Sequence, residues 1–238
     1  KKLPKKDRLP KRDAPGANKV NLFGDDSDRI SFEMKLSTAP DQIAIAPGYL
    51  QREWEENGRK HYHYKMDAPM VNFYTVVSAR YEVTRDVWRS PEGKEVNLEV
   101  YYHEGHTYNL DNMMESMKKS LAYYEANFSP YQYRQVRIME FPRYASFAQS
   151  FANTIPYAES MGFIMEIGED DLDMPFYITA HEVAHQWWGH QVTEASVQGG
   201  TMLSETMSQY SALMEMQQTY ENMKMRKYLK YEIESYKT

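Results

Sequence analysis

The sequence predicts an α+β fold, in which a β-rich N-terminal unit precedes a mainly helical one. In the segment ISFEMKL, residues 30–36, every second residue is apolar, and that alternation is typical of a strand with one buried face. Beyond about residue 107 the apolar residues recur every three or four positions, as they do in amphipathic helices. Strands that precede helices, rather than alternating with them, favour the α+β class.

These changes in pattern divide the chain into three segments. Residues 1–20 are interpreted as a basic flexible tail and linker, because positions 1–12 hold seven Lys or Arg residues and one Asp. Residues 21–107 form the predicted β-rich domain, and residues 108–238 form the predicted helical domain. A basic stretch also occurs beside membrane spans, so attachment of the parent protein to a membrane is kept as a hypothesis.

The β-rich domain is interpreted as antiparallel, with one solvated face. Turn signals at Pro47-Gly48, Asn57-Gly58 and 91–93 separate several of its strands. Besides 30–36, the predicted strands cover 43–46, 60–66, 71–77, 80–87 and 96–102.

The second domain begins with a helix for which Asn112 and Glu115 form a predicted capping pair. Asp173 and Pro175 have the chemistry of a helix start, and Gly189 is expected to end the helix that they begin. The remaining predictions are a strand over 134–141, helices from about 202 past 216 and over 220–236, and no assignment for 144–168.

Composition excludes several classes of function. Hydrophobic residues make up 42% of the 238 residues, which is enough to form a folded core. The chain has no cysteine, so disulfides, thiolate nucleophiles and thiolate metal sites are excluded. Lys and Arg number 28 against 34 Asp and Glu, a net charge of −6, which argues against a nucleic-acid partner. No apolar run reaches the ~18 residues of a membrane span, so we expect a soluble domain.

Residues 181–185 read HEVAH, which matches the HExxH pattern on a predicted helix. Residues four apart share one helical face, so His181 and His185 can converge on one ion. Zinc accepts neutral imidazole nitrogen. Glu182 is rotated away from the two histidines and is placed to take a proton from a water molecule on that ion. The simpler interpretation, two surface histidines on a structural helix, is disfavoured by the apolar flanks.

A catalytic zinc needs a third protein ligand. His190 is offset from the face that carries His185 and is rejected. A glutamate on a following helix is the other solution, and Glu205 lies twenty residues beyond His185, past the break at Gly199-Gly200. Glu194 is the competing candidate, but it lies only nine residues on and is expected in the turn. We therefore favour Glu205.

The segments HEVAHQWWGH and MLSETMSQYSALM resemble those of gluzincins, specifically the aminopeptidase N-like zinc metallopeptidases. The resemblance covers about residues 21–238 and implies that the β-rich domain is followed by a thermolysin-like catalytic domain. It implies that His181, His185 and Glu205 bind one Zn²⁺ per chain, and that Glu182 is the general base in hydrolysis of a peptide substrate.

Three longer stretches resemble bacterial peptidase domains fused to the permease subunits of ABC-type transporters. This closer resemblance implies a parent protein that is tethered to a membrane. The stretches are DQIAIAPGYLQREWEENG, FPRYASFAQSFANTIPYAES and VQGGTMLSETMSQYSALM.

Three departures from the family pattern affect the expected activity. Nineteen residues separate His185 from Glu205, one more than is usual. Where related aminopeptidases have a glutamate for the substrate's α-amino group, this chain has Ser150, beside Gln149. Both are expected to line the substrate cleft without supplying a charge. The family's oxyanion-stabilising tyrosine lies several dozen residues past the third ligand, and only 33 residues follow Glu205, which implies a catalytic domain truncated at its C-terminal side.

Two functions from different classes fit these observations. The leading interpretation is a zinc-dependent, aminopeptidase-like peptidase, whose activity in this fragment is expected to be low. The alternative is a zinc-binding peptide-sensing or regulatory domain of a membrane transporter with weak or no hydrolysis, which the neutral Ser150 motivates.

Several weaker candidates are assigned structural roles. His61 and His63 share one strand face at a spacing that can chelate metal, but exposed polar strand positions explain them. His103 and His106 are expected to be ordinary loop residues.

Ser208 and Gln209 lie three and four residues beyond Glu205. They are candidates for contacts that support the metal ligands, but the helix surface is the favoured assignment.

Overall fold

The computed structural model describes residues 7–24, 28–220 and 222–237, so the first six residues of the predicted basic tail lie outside the described part. The predicted α+β class is confirmed, because strands dominate the first half of the chain and helices the second. The strands are β1 (Arg29–Ile30), β2 (Glu33–Thr38), β3 (Ile43–Ile45), β4 (Tyr49–Glu56), β5 (Arg59–Lys65), β6 (Met70–Val71), β7 (Val77–Ala79), β8 (Glu82–Arg89), β9 (Glu95–Tyr102), β10 (Gln135–Phe141) and β11 (Thr154–Ala158). The α-helices are α1 (Leu110–Asn127), α2 (Met174–Ala184), α3 (Glu205–Thr219) and α4 (Asn222–Lys237).

The strands of the first half pair as predicted, antiparallel. The largest sheet there has the order β2-β5-β4, and two short ribbons join β1 to β6 and β3 to β7. The alternation that predicted β2 is confirmed, since Met34 and Leu36 pack on the main core while Glu33 and Lys35 are exposed.

One strand prediction in this half was wrong, and one strand was not predicted. The stretch 71–77 is interrupted, because the chain turns at Phe73, whose amide bonds the carbonyl of Val71 at 2.7 Å. Its ring instead packs on Phe151, with ring centroids 4.4 Å apart. The sequence also gave no sign of β4, which is mostly exposed and polar on both faces and therefore lacks an apolar alternation.

A four-stranded sheet of order β11-β10-β9-β8 lies behind the candidate site. Strand β10 pairs in parallel with both β9 and β11, and it is buried along its whole length. This sheet includes strands from both sides of residue 107, so the pairing does not follow the division between the two predicted domains.

Helices α1, α2 and α3 pack together, and α1 contacts β8 and β9 of this sheet. Buried hydroxyls on α1 donate hydrogen bonds to backbone carbonyls of α2. Ser116 donates to the carbonyl of Phe176 at 2.7 Å, and Tyr124 donates to that of Ala180 at 2.9 Å. The predicted cap of α1 was wrong by three residues. Asn109 is the N-cap, and the side-chain amide of Asn112 donates instead to Asp173, at 2.9 Å.

The start of α2 is confirmed and its end was predicted too late. The Asp173 side chain accepts the Phe176 amide at 3.1 Å, as expected of an N-cap. The helix ends at Ala184 rather than at Gly189, with His185 as its C-cap. The backbone forms a tighter, 3₁₀-type turn there, in which the amide of Trp187 donates to the carbonyl of Ala184 three residues earlier. Trp187 and Trp188 therefore follow the helix rather than extend it.

Residues before β1 contact the loop that precedes α3. The Gln198 side chain donates to the carbonyl of Leu9 at 2.6 Å, and the Ser196 amide donates to the carbonyl of Val20 at 2.8 Å. These bonds fix part of the segment that was interpreted as linker. Within the described residues, no helix combines the length and the apolar character needed to cross a membrane.

Candidate metal centre

Three side chains from α2 and α3 converge on one point. The Nε2 atoms of His181 and His185 lie 3.0 Å apart. The Oε2 atom of Glu205, from the first residue of α3, lies 3.5 Å from each of them. The i, i+4 spacing on α2 gives both imidazoles one face, and the packing of α3 on α2 brings the carboxylate to it.

The spacing of these atoms fits a zinc ion. A tetrahedral ion with bonds of about 2.0–2.1 Å holds its ligand atoms roughly 3.4 Å apart, close to the observed 3.0, 3.5 and 3.5 Å. Two neutral imidazoles that face each other can share only one hydrogen bond, so a cation between them accounts better for both lone pairs. The residues present therefore fit the metal that the sequence predicts.

His185 is oriented by hydrogen bonds to its other ring nitrogen. Its Nδ1 lies 3.0 Å from the carbonyl of Trp188 and 3.0 Å from the hydroxyl of Ser208. A carbonyl partner requires a proton on Nδ1, which leaves the Nε2 lone pair free for a metal. Assigning Ser208 to the helix surface was wrong: it is fully buried. Its position three residues after Glu205, on the same helical face, was the available signal.

Charge complementarity within the cluster is strong. Hydrogen bonds from His181 and His185 hold the pKa of Glu205 well below its ordinary value. Burial disfavours the charged form of His185, but Glu205 and Glu182 outweigh that penalty and raise its pKa. The cluster therefore carries a carboxylate and favours positive charge beside it.

Glu182 lies beside the cluster rather than within it. It is 5% exposed, and its Oε2 atom has no hydrogen-bond partner. Burial raises its pKa, against the opposing effect of the two histidines. A raised pKa makes a carboxylate a better proton acceptor near neutral pH.

Two cavities border the convergence point. The larger, of about 370 Å³, is lined by Gln149, His181, Glu182, Glu205 and Tyr231 among others. The smaller, of about 130 Å³, adjoins it on the side of Ser150, His185 and Glu194.

The predicted cleft residues occupy different positions. Gln149 lines both cavities, whereas Ser150 lines only the smaller one. The Ser150 hydroxyl already accepts a hydrogen bond from the side chain of Gln186. Tyr231 on α4 also lines the larger cavity, although no motif in the sequence marks it.

The two rejected ligands lie outside the converging group. Glu194 is 2% exposed and lines the smaller cavity. His190 is buried, and its Nε2 donates to the carbonyl of Ser150 at 3.1 Å. Burial lowers the pKa of His190 to about 4, so it is neutral at physiological pH.

The strand histidines do not form a cluster. His61 stacks on Trp54, with ring centroids 5.0 Å apart. His63 pairs instead with Glu33, at 2.7 Å on an exposed face. His103 and His106, expected to be ordinary loop residues, converge on Glu140, and this second group is treated below.

The family and the curated relative that match this chain in sequence are peptidases. The family described as "Peptidase family M1 domain" matches residues 112–237. A leucyl aminopeptidase of Saccharolobus solfataricus is 28% identical over 180 residues, which are 73% of this chain and 22% of that protein.

Two solved structures share the fold. The Legionella pneumophila aminopeptidase A complex with aspartic acid matches with a TM-score of 0.70 and 20% identity, over 81% of this chain and 23% of that one. An M1 zinc metallopeptidase from Deinococcus radiodurans matches with a TM-score of 0.62 and 19% identity, over 79% of this chain and 40% of that one. The chain thus spans less than half the length of each of these relatives.

Proposed function

Since the chain belongs to peptidase family M1, we propose that it is the zinc-binding part of an aminopeptidase-like metallopeptidase that hydrolyses peptide bonds. The observation that carries this proposal is the convergence of His181, His185 and Glu205 beside the buried Glu182. We assign the first three as zinc ligands and Glu182 as the general base.

Each residue has a role that follows from its position. Zinc, when bound, supplies a Lewis acid that polarises a peptide carbonyl and makes water more acidic. Glu182 accepts the proton of the attacking water and returns it to the leaving amine. Ser208 and the Trp188 carbonyl hold the His185 ring so that Nε2 points at the convergence point.

The larger cavity is the proposed substrate cleft. It holds both the ligand Glu205 and the base Glu182, so a peptide carbonyl bound there meets both groups. Gln149 offers a neutral amide to the substrate's amino group in place of the glutamate that resemblance to the family implies. A neutral acceptor forms a weaker bond to an ammonium than a carboxylate does, and we therefore expect weak selection for a free amino terminus.

Hydrolysis and its dependence on metal test the proposal directly. Aminoacyl-coumarins and internally quenched peptides are incubated with the full-length protein, with and without a chelator. We expect turnover that the chelator abolishes and that added Zn²⁺ restores. Turnover that is indifferent to the chelator would contradict the proposal.

One observation supports a second candidate, a zinc-binding sensor of peptides in a transporter. Ser150 is 2% exposed and its hydroxyl is hydrogen-bonded to Gln186, so the position that the resemblance assigns to amine recognition is uncharged and largely enclosed. Zinc binding together with peptide binding, but with no turnover of any substrate in the panel, would favour this candidate over the peptidase.

A further inference from the structure

A second group of two histidines and one glutamate lies at the carboxyl ends of β9 and β10. His103 follows β9, His106 lies three residues later, and Glu140 is the penultimate residue of β10. Because β9 and β10 run in parallel, the residues at their ends meet at one edge of the sheet. One ligand atom from each of the three residues lies within 4.8 Å of the others.

A tight turn places the two imidazoles. The His106 amide bonds the carbonyl of His103 at 3.0 Å, and Gly105 within the turn has a φ of +82°, which favours glycine. The two rings lie 6.0 Å apart and nearly perpendicular. Each imidazole presents its Nδ1 to a different oxygen of Glu140.

The carboxylate at the centre is fully buried and needs a positive partner. The Glu140 side chain is 0% exposed, and among the described residues its ion-pair partners are the two imidazoles. A buried carboxylate without a cation is costly. Its charge must therefore be met by protons on the histidines or by a metal ion.

The contact of His103 is poorly explained by a hydrogen bond. Its Nδ1 lies 3.3 Å from Oε2 of Glu140, longer than the roughly 2.7–2.9 Å of a charge-assisted bond. That oxygen already accepts the backbone amide of His103 at 2.6 Å. A separation of 3.3 Å does match two ligands of one tetrahedral ion, which lie roughly 3.4 Å apart. The Nδ1 atom of His106 is hydrogen-bonded to the other oxygen, and an ion bound to Nδ1 would replace that hydrogen bond.

We propose that His103, His106 and Glu140 form a second metal site, which binds a zinc-like divalent cation through two Nδ1 atoms and one carboxylate. Two imidazole donors favour Zn²⁺, Co²⁺ or Ni²⁺ over Mg²⁺ or Ca²⁺. The histidine side chains are 25% and 30% exposed, so water can complete the coordination and the ion can exchange. The ion joins the ends of β9 and β10, and the site shares no residue with the proposed catalytic one.

The number of bound metal ions tests this proposal. The full-length protein is stripped with chelator, dialysed against Zn²⁺ and analysed for metal. We expect one ion more than in a His106→Ala variant, and one more than in a His181→Ala variant. The control is His63→Ala, which removes a histidine–glutamate pair from an exposed face and should lose no zinc.

The His181→Ala protein keeps the second group unchanged and therefore tests it even if His106→Ala fails to fold. It should bind Co²⁺ with the visible absorption of a nitrogen- and oxygen-ligated ion. If it binds no metal, or if His106→Ala binds as much zinc as the unaltered protein, the proposal is overturned and the histidines balance Glu140 with protons. If His181→Ala binds as much zinc as the unaltered protein while His106→Ala binds one ion fewer, the proposed function is contradicted instead.

Discussion

Two groups of identical composition, two histidines and a glutamate, differ in which member is buried. In the group on α2 and α3, His185 is 7% exposed and the Glu205 side chain is 57% exposed. In the group at the ends of β9 and β10, the glutamate is fully buried and the histidines are partly exposed. The first group thus presents its carboxylate to solvent, and the second encloses it.

The two groups also differ in what lies beside them. Beside the first group lie a further buried carboxylate, Glu182, and a cavity of about 370 Å³. The described cavities have no lining residue in common with the second group. Two imidazoles and a carboxylate that converge indicate a metal site, whereas a catalytic site also needs a neighbouring base and space for a substrate.

The largest expected effect comes from removing the base without touching the ligands. Glu182→Gln keeps the shape of the side chain but cannot accept a proton. We expect kcat to fall by about a hundred- to ten-thousand-fold while the zinc content stays unchanged. Peptide turnover and metal analysis on the same sample measure both.

The matched control is Glu215→Gln, which neutralises another buried glutamate, on α3. It should leave the turnover within a few-fold of the unaltered protein. Equal losses of activity in the two variants would remove the special role of Glu182.

A smaller effect is expected from the hydroxyl that orients His185. Ser208→Ala removes one of the two partners of Nδ1, and such losses typically cost about ten- to a hundred-fold in metal affinity or activity. Competition with a chromogenic chelator measures the affinity. Ser120→Ala removes an equally buried hydroxyl on α1 that has no hydrogen-bond partner among the described residues; it is the control and should retain its zinc.

The smallest effect is the contribution of Glu215, a buried carboxyl group with no imidazole beside it, to the pH dependence of stability. Burial raises the pKa of Glu215 to about 7 from an ordinary value of 4.5, although Thr219 and Lys119 oppose the rise and Glu115 adds to it. The folded protein therefore holds a proton that the unfolded chain releases. Stability should fall by up to about 3 kcal/mol as the pH rises from 4.5 to 7, and then level off.

Urea unfolding at pH 5 and pH 8 measures this dependence. Glu215→Gln should lose it and be more stable than the unaltered protein at pH 8. Glu234→Gln, on the exposed side of α4, should behave like the unaltered protein. If both variants retain the same slope with pH, Glu215 is not its source.

The sequence predicted features that depend on residues close together in the chain, and it missed features that depend on residues far apart. The HExxH segment places His181 and His185 together because helical spacing is local, and Asp173 marked the start of α2 for the same reason. The group at Glu140 was missed because 34 residues separate it from His106, and only strand pairing brings them together. Strand β4 was not predicted because most of its residues are exposed and polar, so that its sequence has no apolar alternation.

The sheet that joins β8 and β9 to β10 and β11 has a practical consequence for anyone who divides this chain. Cutting the chain near residue 107 would remove the strand that pairs with β10 on one side and leave unpaired backbone amides along a strand that is buried over its whole length. Such bare flanks recruit other chains. The two fragments should therefore aggregate when they are expressed separately and stay in solution only when they are produced together.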